Sequence, residues 1–127
     1  MSYRYFNPNP RGLHVGDCTV RAICAVTGAD WEDVHKIQCD LARWMGNMPS
    51  ADAVWWYLLA LCGFDRWQII EPCANGSCYT VEDFARSHPH GVYILGPMEH
   101  AVAVIEGEYW DSFDSGQTIP TYFFSRE

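Results

Sequence analysis

His100-Ala101-Val102-Ala103-Val104-Ile105-Glu106-Gly107-Glu108-Tyr109-Trp110-Asp111 is the stretch on which the fold turns. A β-branched apolar run, a Glu-Gly pair and a second run carrying aromatic residues describe an antiparallel hairpin. With Glu106-Gly107 as a two-residue turn, Ile105 pairs with Glu108, Val104 with Tyr109, Val102 with Asp111 and His100 with Phe113. Side chains alternate along a strand. His100 and Asp111 therefore fall on one face as diagonal neighbours within hydrogen-bond reach. Asp114 has the opposite parity, and a one-residue slip would exchange the two.

Upstream of the hairpin the pattern is helical. A first helix is expected from Cys18 to Thr27, closed by Gly28. A second opens at Trp31 behind the cap Asp30, with Asp33 in a box-like position. Its apolar stripe reads Trp31, Val34, Ile37, Leu41 and Trp44, and it stops near Gly46. Ser50-Ala51-Asp52 caps a third, from Ala53 to Cys62, with Val54, Tyr57, Leu58 and Leu61 as its buried stripe. Phe64 to Ile70 reads as a strand, Tyr79 to Ala85 as a short helix capped by Thr80 with Asp83 at the box position, and Gly91 to Leu95 as a strand. Tyr122 to Phe124 is the last strand. Helices followed by a mainly antiparallel sheet make an α+β fold. No repeat or linker divides it, so residues 1–127 read as a single domain, with residues 1–16 as an irregular N-terminal arm.

Eight basic residues against sixteen acidic ones leave a formal charge of −8. The basic residues are scattered rather than clustered, which argues against nucleic-acid binding. No apolar run is long enough for a membrane span. The N-terminal residues have no signal-peptide core, so a cytoplasmic location is expected. In that compartment the six cysteines are expected to be reduced. Cys24, Cys39 and Cys62 read as small core residues. Cys73 and Cys78 read as unbonded loop cysteines, since a zinc knuckle needs two more ligands nearby. No metal and no cofactor is expected. His14, His35, His88 and His90 read as surface histidines. Trp56, Trp67 or Trp110, if exposed beside a cleft, would anchor a peptide segment.

Gly16-Asp17-Cys18-Thr19-Val20-Arg21-Ala22 places a cysteine where a turn gives way to the first helix. Asp17 is a good N-cap, and the positive end of the helix dipole at Cys18 favours a thiolate. Arg21 reads as an i+4 surface partner of Asp17, worth a few tenths of a kcal/mol. A cysteine at a helix start, with histidine and aspartate on adjacent strands, is a layout for nucleophilic catalysis. His100 would deprotonate Cys18, and Asp111 would orient the imidazole and stabilise its positive form. The backbone N–H of Cys18 would face a developing oxyanion. Asn7 and Asn9, in the arm before the helix, are the amides available as a second oxyanion donor.

These segments resemble the papain-like cysteine peptidase fold in its small bacterial and phage forms. The order Cys18, His100, Asp111, the cysteine opening a helix and the histidine starting a strand carry the resemblance, which spans roughly residues 7 to 116. It implies hydrolysis or acyl transfer at an amide, isopeptide or thioester bond through an acyl-cysteine, with a peptide or protein as substrate. It also implies the roles of nucleophile, base and orienter for Cys18, His100 and Asp111. Papain-like enzymes carry a glutamine a few residues before the cysteine. Here the sixth residue before Cys18 is Gly12, and the arm holds no glutamine. That departure leaves a second class open: a non-catalytic protein-binding module on the same fold.

Overall fold

The hairpin forms in the register read from the sequence. β6 (Val102–Ile105) and β7 (Glu108–Asp111) pair antiparallel, with Ile105 opposite Glu108, Val104 opposite Tyr109 and Ala103 opposite Trp110. Glu106 and Gly107 both have positive φ, 49° and 83°, the turn whose twist matches that of the strands it joins. The computed structural model describes residues 2–126. Residues 1 and 127, the ends of the domain span read from the sequence, lie outside the described residues.

Four further strands extend the hairpin. β5 (Val92–Pro97) pairs antiparallel with β6, β8 (Pro120–Ser125) with β5, and β2 (Asp65–Gln68) with β8. On the other side, β1 (Tyr3–Tyr5) lies parallel to β7. Among the described residues this gives a six-stranded, mainly antiparallel sheet in the order β1-β7-β6-β5-β8-β2. β1 corrects the expectation of an arm without regular structure. Its three residues are too short to show a pattern by themselves, and only the free edge of β7 gives them a partner.

Four helices cover the sheet: α1 (Cys18–Thr27), α2 (Trp31–Met45), α3 (Asp52–Leu61) and α4 (Val81–Ser87). The period-2 alternation of the central strands explains the two layers. Ala101, Ala103, Ile94 and Phe124 pack with Val20, Ile23, Trp55 and Leu59 of α1 and α3. Val102, Val104, Leu95 and Tyr109 pack with Val81, Phe84 and Ala85 of α4. Strands covered on both faces need no polar alternation, which is why β5 and β6 read as continuous apolar runs. Fully burying a side chain such as Ile23, Leu59 or Ile94 contributes about 1.5–3 kcal/mol.

The helices lie close to the limits expected, but neither the Asp30 cap with its Asp33 box at α2 nor a side-chain cap from Ser50-Ala51-Asp52 at α3 forms, and two stripes lie elsewhere than periodicity indicated. On α2 the buried residues are Val34, Gln38 and Ala42, while Ile37 and Trp44 are exposed. Gln38 is admitted to the core because its amide donates to Thr19 Oγ1 (2.8 Å) and to the Pro49 carbonyl (2.6 Å). These bonds satisfy the amide nitrogen, which offsets part of the cost of burial, while the buried Oε1 has no hydrogen-bond partner. On α3 the buried residues are Val54, Trp55, Leu58 and Leu59, and Tyr57 and Leu61 face outward. An almost wholly apolar helix carries little directional signal, so the neighbours decide which face turns in.

Cys73 and Cys78 form a disulfide, which corrects the reading of two free loop cysteines. The two-stranded ribbon β3 (Cys73–Ala74) and β4 (Ser77–Cys78) sets them directly opposite across an Asn75-Gly76 turn with φ of 53° and 76°. Asn-Gly is the strongest two-residue hairpin signal, and it determines this pairing. Among the described residues no helix is long and apolar enough to cross a membrane.

Candidate functional site

Cys18 is the first residue of α1 and is half-buried. His100 follows the β5–β6 turn, in which its backbone N–H donates to the Pro97 carbonyl at 3.2 Å. Asp111 ends β7 and is fully buried. Cys18 and His100 line one open cleft of about 650 Å³ between the start of α1, the α2–α3 loop and the β5–β6 turn. His100 Nε2 and Asp111 Oδ2 are 2.7 Å apart. The ring therefore has Nδ1 left for other partners, and its contact with Cys18 helps raise its pKa. Cys18 and His100 share the cleft without a hydrogen bond between them. Phe113 packs against the imidazole, with ring centroids 5.1 Å apart.

The pleat is not what brings His100 to Asp111. Val102, Val104 and Tyr109 turn toward α4, whereas Asp111 bonds to Arg21 of α1 on the opposite layer. His100 and Asp111 both lie past Ala103–Trp110, the last pair of the β6–β7 ladder. Asp111 is still within β7, opposite Tyr5 of β1, and its side chain is aimed by its hydrogen bonds to Arg21, His100 and Ser115. Asp114, the residue excluded by parity, accepts from the Tyr109 hydroxyl (2.6 Å) and the Gly116 N–H instead.

Asp111 is held from every side. Oδ1 accepts from Arg21 Nε (3.1 Å), Arg21 Nη2 (2.8 Å) and the Ser112 N–H (2.8 Å). Oδ2 accepts from His100 and from Ser115 Oγ (2.6 Å). Its carbonyl accepts from the Phe6 N–H and the Tyr3 hydroxyl, so β1 braces its backbone as well. Burial alone would raise the Asp111 pKa. The hydrogen bonds from His100 and Ser115, and the charges of His100 and Arg21, outweigh burial and hold it below the usual carboxylate value. His100 shows the mirror case. Burial would lower its pKa, but the bond to Asp111, the Cys18 contact and the charges of both raise it to about 9.

Arg21 corrects the expectation of a surface partner worth a few tenths of a kcal/mol. It is only 4% exposed and bridges two buried carboxylates, Asp111 and Asp17 (Nη1 to Oδ1, 2.6 Å). Asp17 also accepts from Trp31 Nε1 at 2.9 Å, so its side chain does not cap α1 as expected. The sequence carried a signal for this: an arginine between Val20 and Ala22-Ile23, on a helix that must be buried, needs a carboxylate beside it. Ser115 offered no comparable signal.

Asn7 and Asn9 are not brought to the cleft. Asn7 Nδ2 donates to the Leu13 carbonyl while its Oδ1 accepts from the Asn9 N–H, and Asn9 Oδ1 accepts from the N–H groups of Arg11 and Leu13. Asparagine so close to backbone donors closes local turns rather than reaching outward. Of the residues at the cleft, Thr19 is tied to α2 by Gln38, and Tyr122 contributes an aromatic wall. Cys24 is buried, and burial pushes its thiol up to about 12. Among the described residues no three His, Cys, Asp or Glu side chains gather as metal ligands would. His14, His35 and His90 are exposed, and His88 is half-buried, stacked on Phe84. Of the tryptophans named as anchors, Trp67 is exposed and Trp56 and Trp110 are half-buried. Compared with protein-family models, curated proteins and solved structures, the chain matches none.

Proposed function

We propose that this chain is a papain-like cysteine hydrolase acting on an amide, isopeptide or thioester bond of a peptide or protein. One observation carries the reading: a histidine bonded through Nε2 to a buried, fully hydrogen-bonded carboxylate faces, in the same cleft, a cysteine that opens a helix. Helices laid on a mainly antiparallel sheet are compatible with that fold.

The chemistry has two halves. His100 takes the Cys18 proton, and the thiolate attacks the carbonyl carbon. The oxyanion meets the first N–H groups of α1, Cys18 and Thr19, which lack partners within the helix and receive no side-chain cap from Asp17. The imidazolium passes its proton to the departing amine or thiol, leaving an acyl-cysteine. Water, deprotonated by His100, then attacks the acyl carbon, releases the acid and restores the thiol. Asp111 remains ionised throughout, orienting the ring. Arg21 acts one step further back, as a positioning residue that keeps the carboxylate in place.

The competing reading, a non-catalytic binding module, is favoured by the retention of Asn7 and Asn9 in the arm. Iodoacetamide labelling at neutral pH separates the two. Cys18 should react well before Cys39 and Cys62, which are also half-buried, and His100→Ala should remove its lead. Equal, slow labelling of all three would sink the hydrolase reading. A binding module would keep its partner and its effect in Cys18→Ala.

A further inference from the structure

The walls of the cleft differ in charge from the pair they surround. Asp52, in the first turn of α3, and Glu99, in the β5–β6 turn, line the cleft with Cys18 and His100. Both are exposed, and Asp52 is steadied by a hydrogen bond from Trp55 Nε1 at 3.1 Å. Among the described residues no lysine or arginine lines the cleft. Arg21 is buried and bound to two carboxylates, so the group beneath the site carries a net negative charge as well. Arg66 lies over the Trp56 and Tyr122 rings, 4.5 and 4.8 Å from their centroids, and is not part of the lining. Transfer of a proton between Cys18 and His100 leaves that pair neutral as a unit. What remains for an approaching substrate is the field of the two rim carboxylates.

Glu99 has φ of 52°, a region where glycine or asparagine is at ease and a glutamate is strained. Glutamate at that position gains no stability from the turn. Its carboxylate stands one residue from His100, at the mouth of the cleft.

We infer that the cleft selects acyl donors carrying a cationic group, an ammonium or guanidinium, beside the reacting carbonyl, with Asp52 and Glu99 as its recognition residues. The inference rests on Cys18 being the nucleophile. A cleft lined by charge of one sign raises the encounter rate of opposite charge by ~10-fold or more, and salt weakens the effect.

Three methanethiosulfonates test it, bearing a trimethylammonium, a sulfonate or a neutral methyl group. The Cys18 thiolate attacks the sulfenyl sulfur, the S–S bond to the sulfonyl group breaks, a mixed disulfide forms and the sulfinate leaves. Rates at Cys18 are read by mass spectrometry and normalised to the same reagents on a free thiol. The expected result is a cation-over-anion preference of at least ~10-fold, reduced in Glu99→Gln, reduced again in Asp52→Asn, and falling with added salt. Asp52→Asn also touches Trp55, so Glu99→Gln is the variant that decides if the other is unstable. A preference near one, or one that neither substitution moves, while the neutral reagent still modifies Cys18 first, overturns this inference alone. If the neutral reagent shows no preference for Cys18, the nucleophile reading falls and this inference with it.

Discussion

The starts of α1 and α4 are built from similar residues and finished differently. At α4, Thr80 Oγ1 accepts from the Asp83 N–H (3.1 Å) and Asp83 Oδ2 accepts from the Thr80 N–H (3.0 Å), a complete capping box. At α1, the Asp17 carboxylate turns away to Arg21 and Trp31, and no side chain caps the helix. The residue that could have closed α1 instead anchors the arginine that holds Asp111. One helix start is closed by its own side chains. The other stays open toward the cleft, with Cys18 as its first residue. Local satisfaction supports the start of α4, whereas α1, like α2 and α3, has no side-chain cap, and at α1 the carboxylate that could supply one is bound to Arg21 and Trp31.

The sharpest way to break that comparison is Arg21→Met, which leaves Asp17 and Asp111 buried with their shared cation gone. Removing one partner of a buried ion pair costs about 3–5 kcal/mol, readable as a drop in the denaturant midpoint. A loss under ~1 kcal/mol would mean that the carboxylates find other partners and that the network does not depend on Arg21.

Next comes pH. Folding raises the His100 pKa from 6.5 to about 9, so its stabilisation is complete below 6.5 and is lost as pH rises through about 9. That amounts to roughly 3 kcal/mol. Asp111→Asn removes the main partner that raises the pKa. The fall in unfolding free energy between those pH values should then flatten, and an NMR titration should find His100 well below 9. An unchanged His100 titration would show that Asp111 does not control the ring.

The smallest effect is expected at the closed helix start. Thr80→Ala should cost about 1 kcal/mol of stability, measured by chemical unfolding, with the rate of Cys18 alkylation unaltered. A slowed Cys18 would show that the two helix starts are coupled across the sheet.

Much of this arrangement is legible in short windows of sequence. Gly28 and Gly46 end α1 and α2 with φ of 74° and 68°, because a residue must turn left-handed there and glycine does so without strain. The Thr80–Asp83 box and the Glu106-Gly107 turn are likewise contacts between near neighbours, and near neighbours determine them. The buried faces of α2 and α3 are less legible. Gln38 enters the core only because Thr19 and Pro49, nineteen and eleven residues away, receive its amide. The Asn75-Gly76 hairpin, and with it the Cys73–Cys78 disulfide, was open to a local reading, since the turn alone brings the two sulfurs together.

By itself, then, the sequence determined the helices, the hairpin and its register, and the placing of Cys18 at a helix start and His100 and Asp111 beside the hairpin ladder. Each of these depends on steric and hydrogen-bond preferences acting over a few residues. Only the tertiary structure decided that Asp17 would leave its cap, that Arg21 would be buried between two carboxylates, and that Asn7 and Asn9 would stay in the arm. It alone made Asp52 and Glu99 walls of the same cleft. A buried charge takes whatever partner lowers its desolvation cost, and those partners lie up to 90 residues away in the chain.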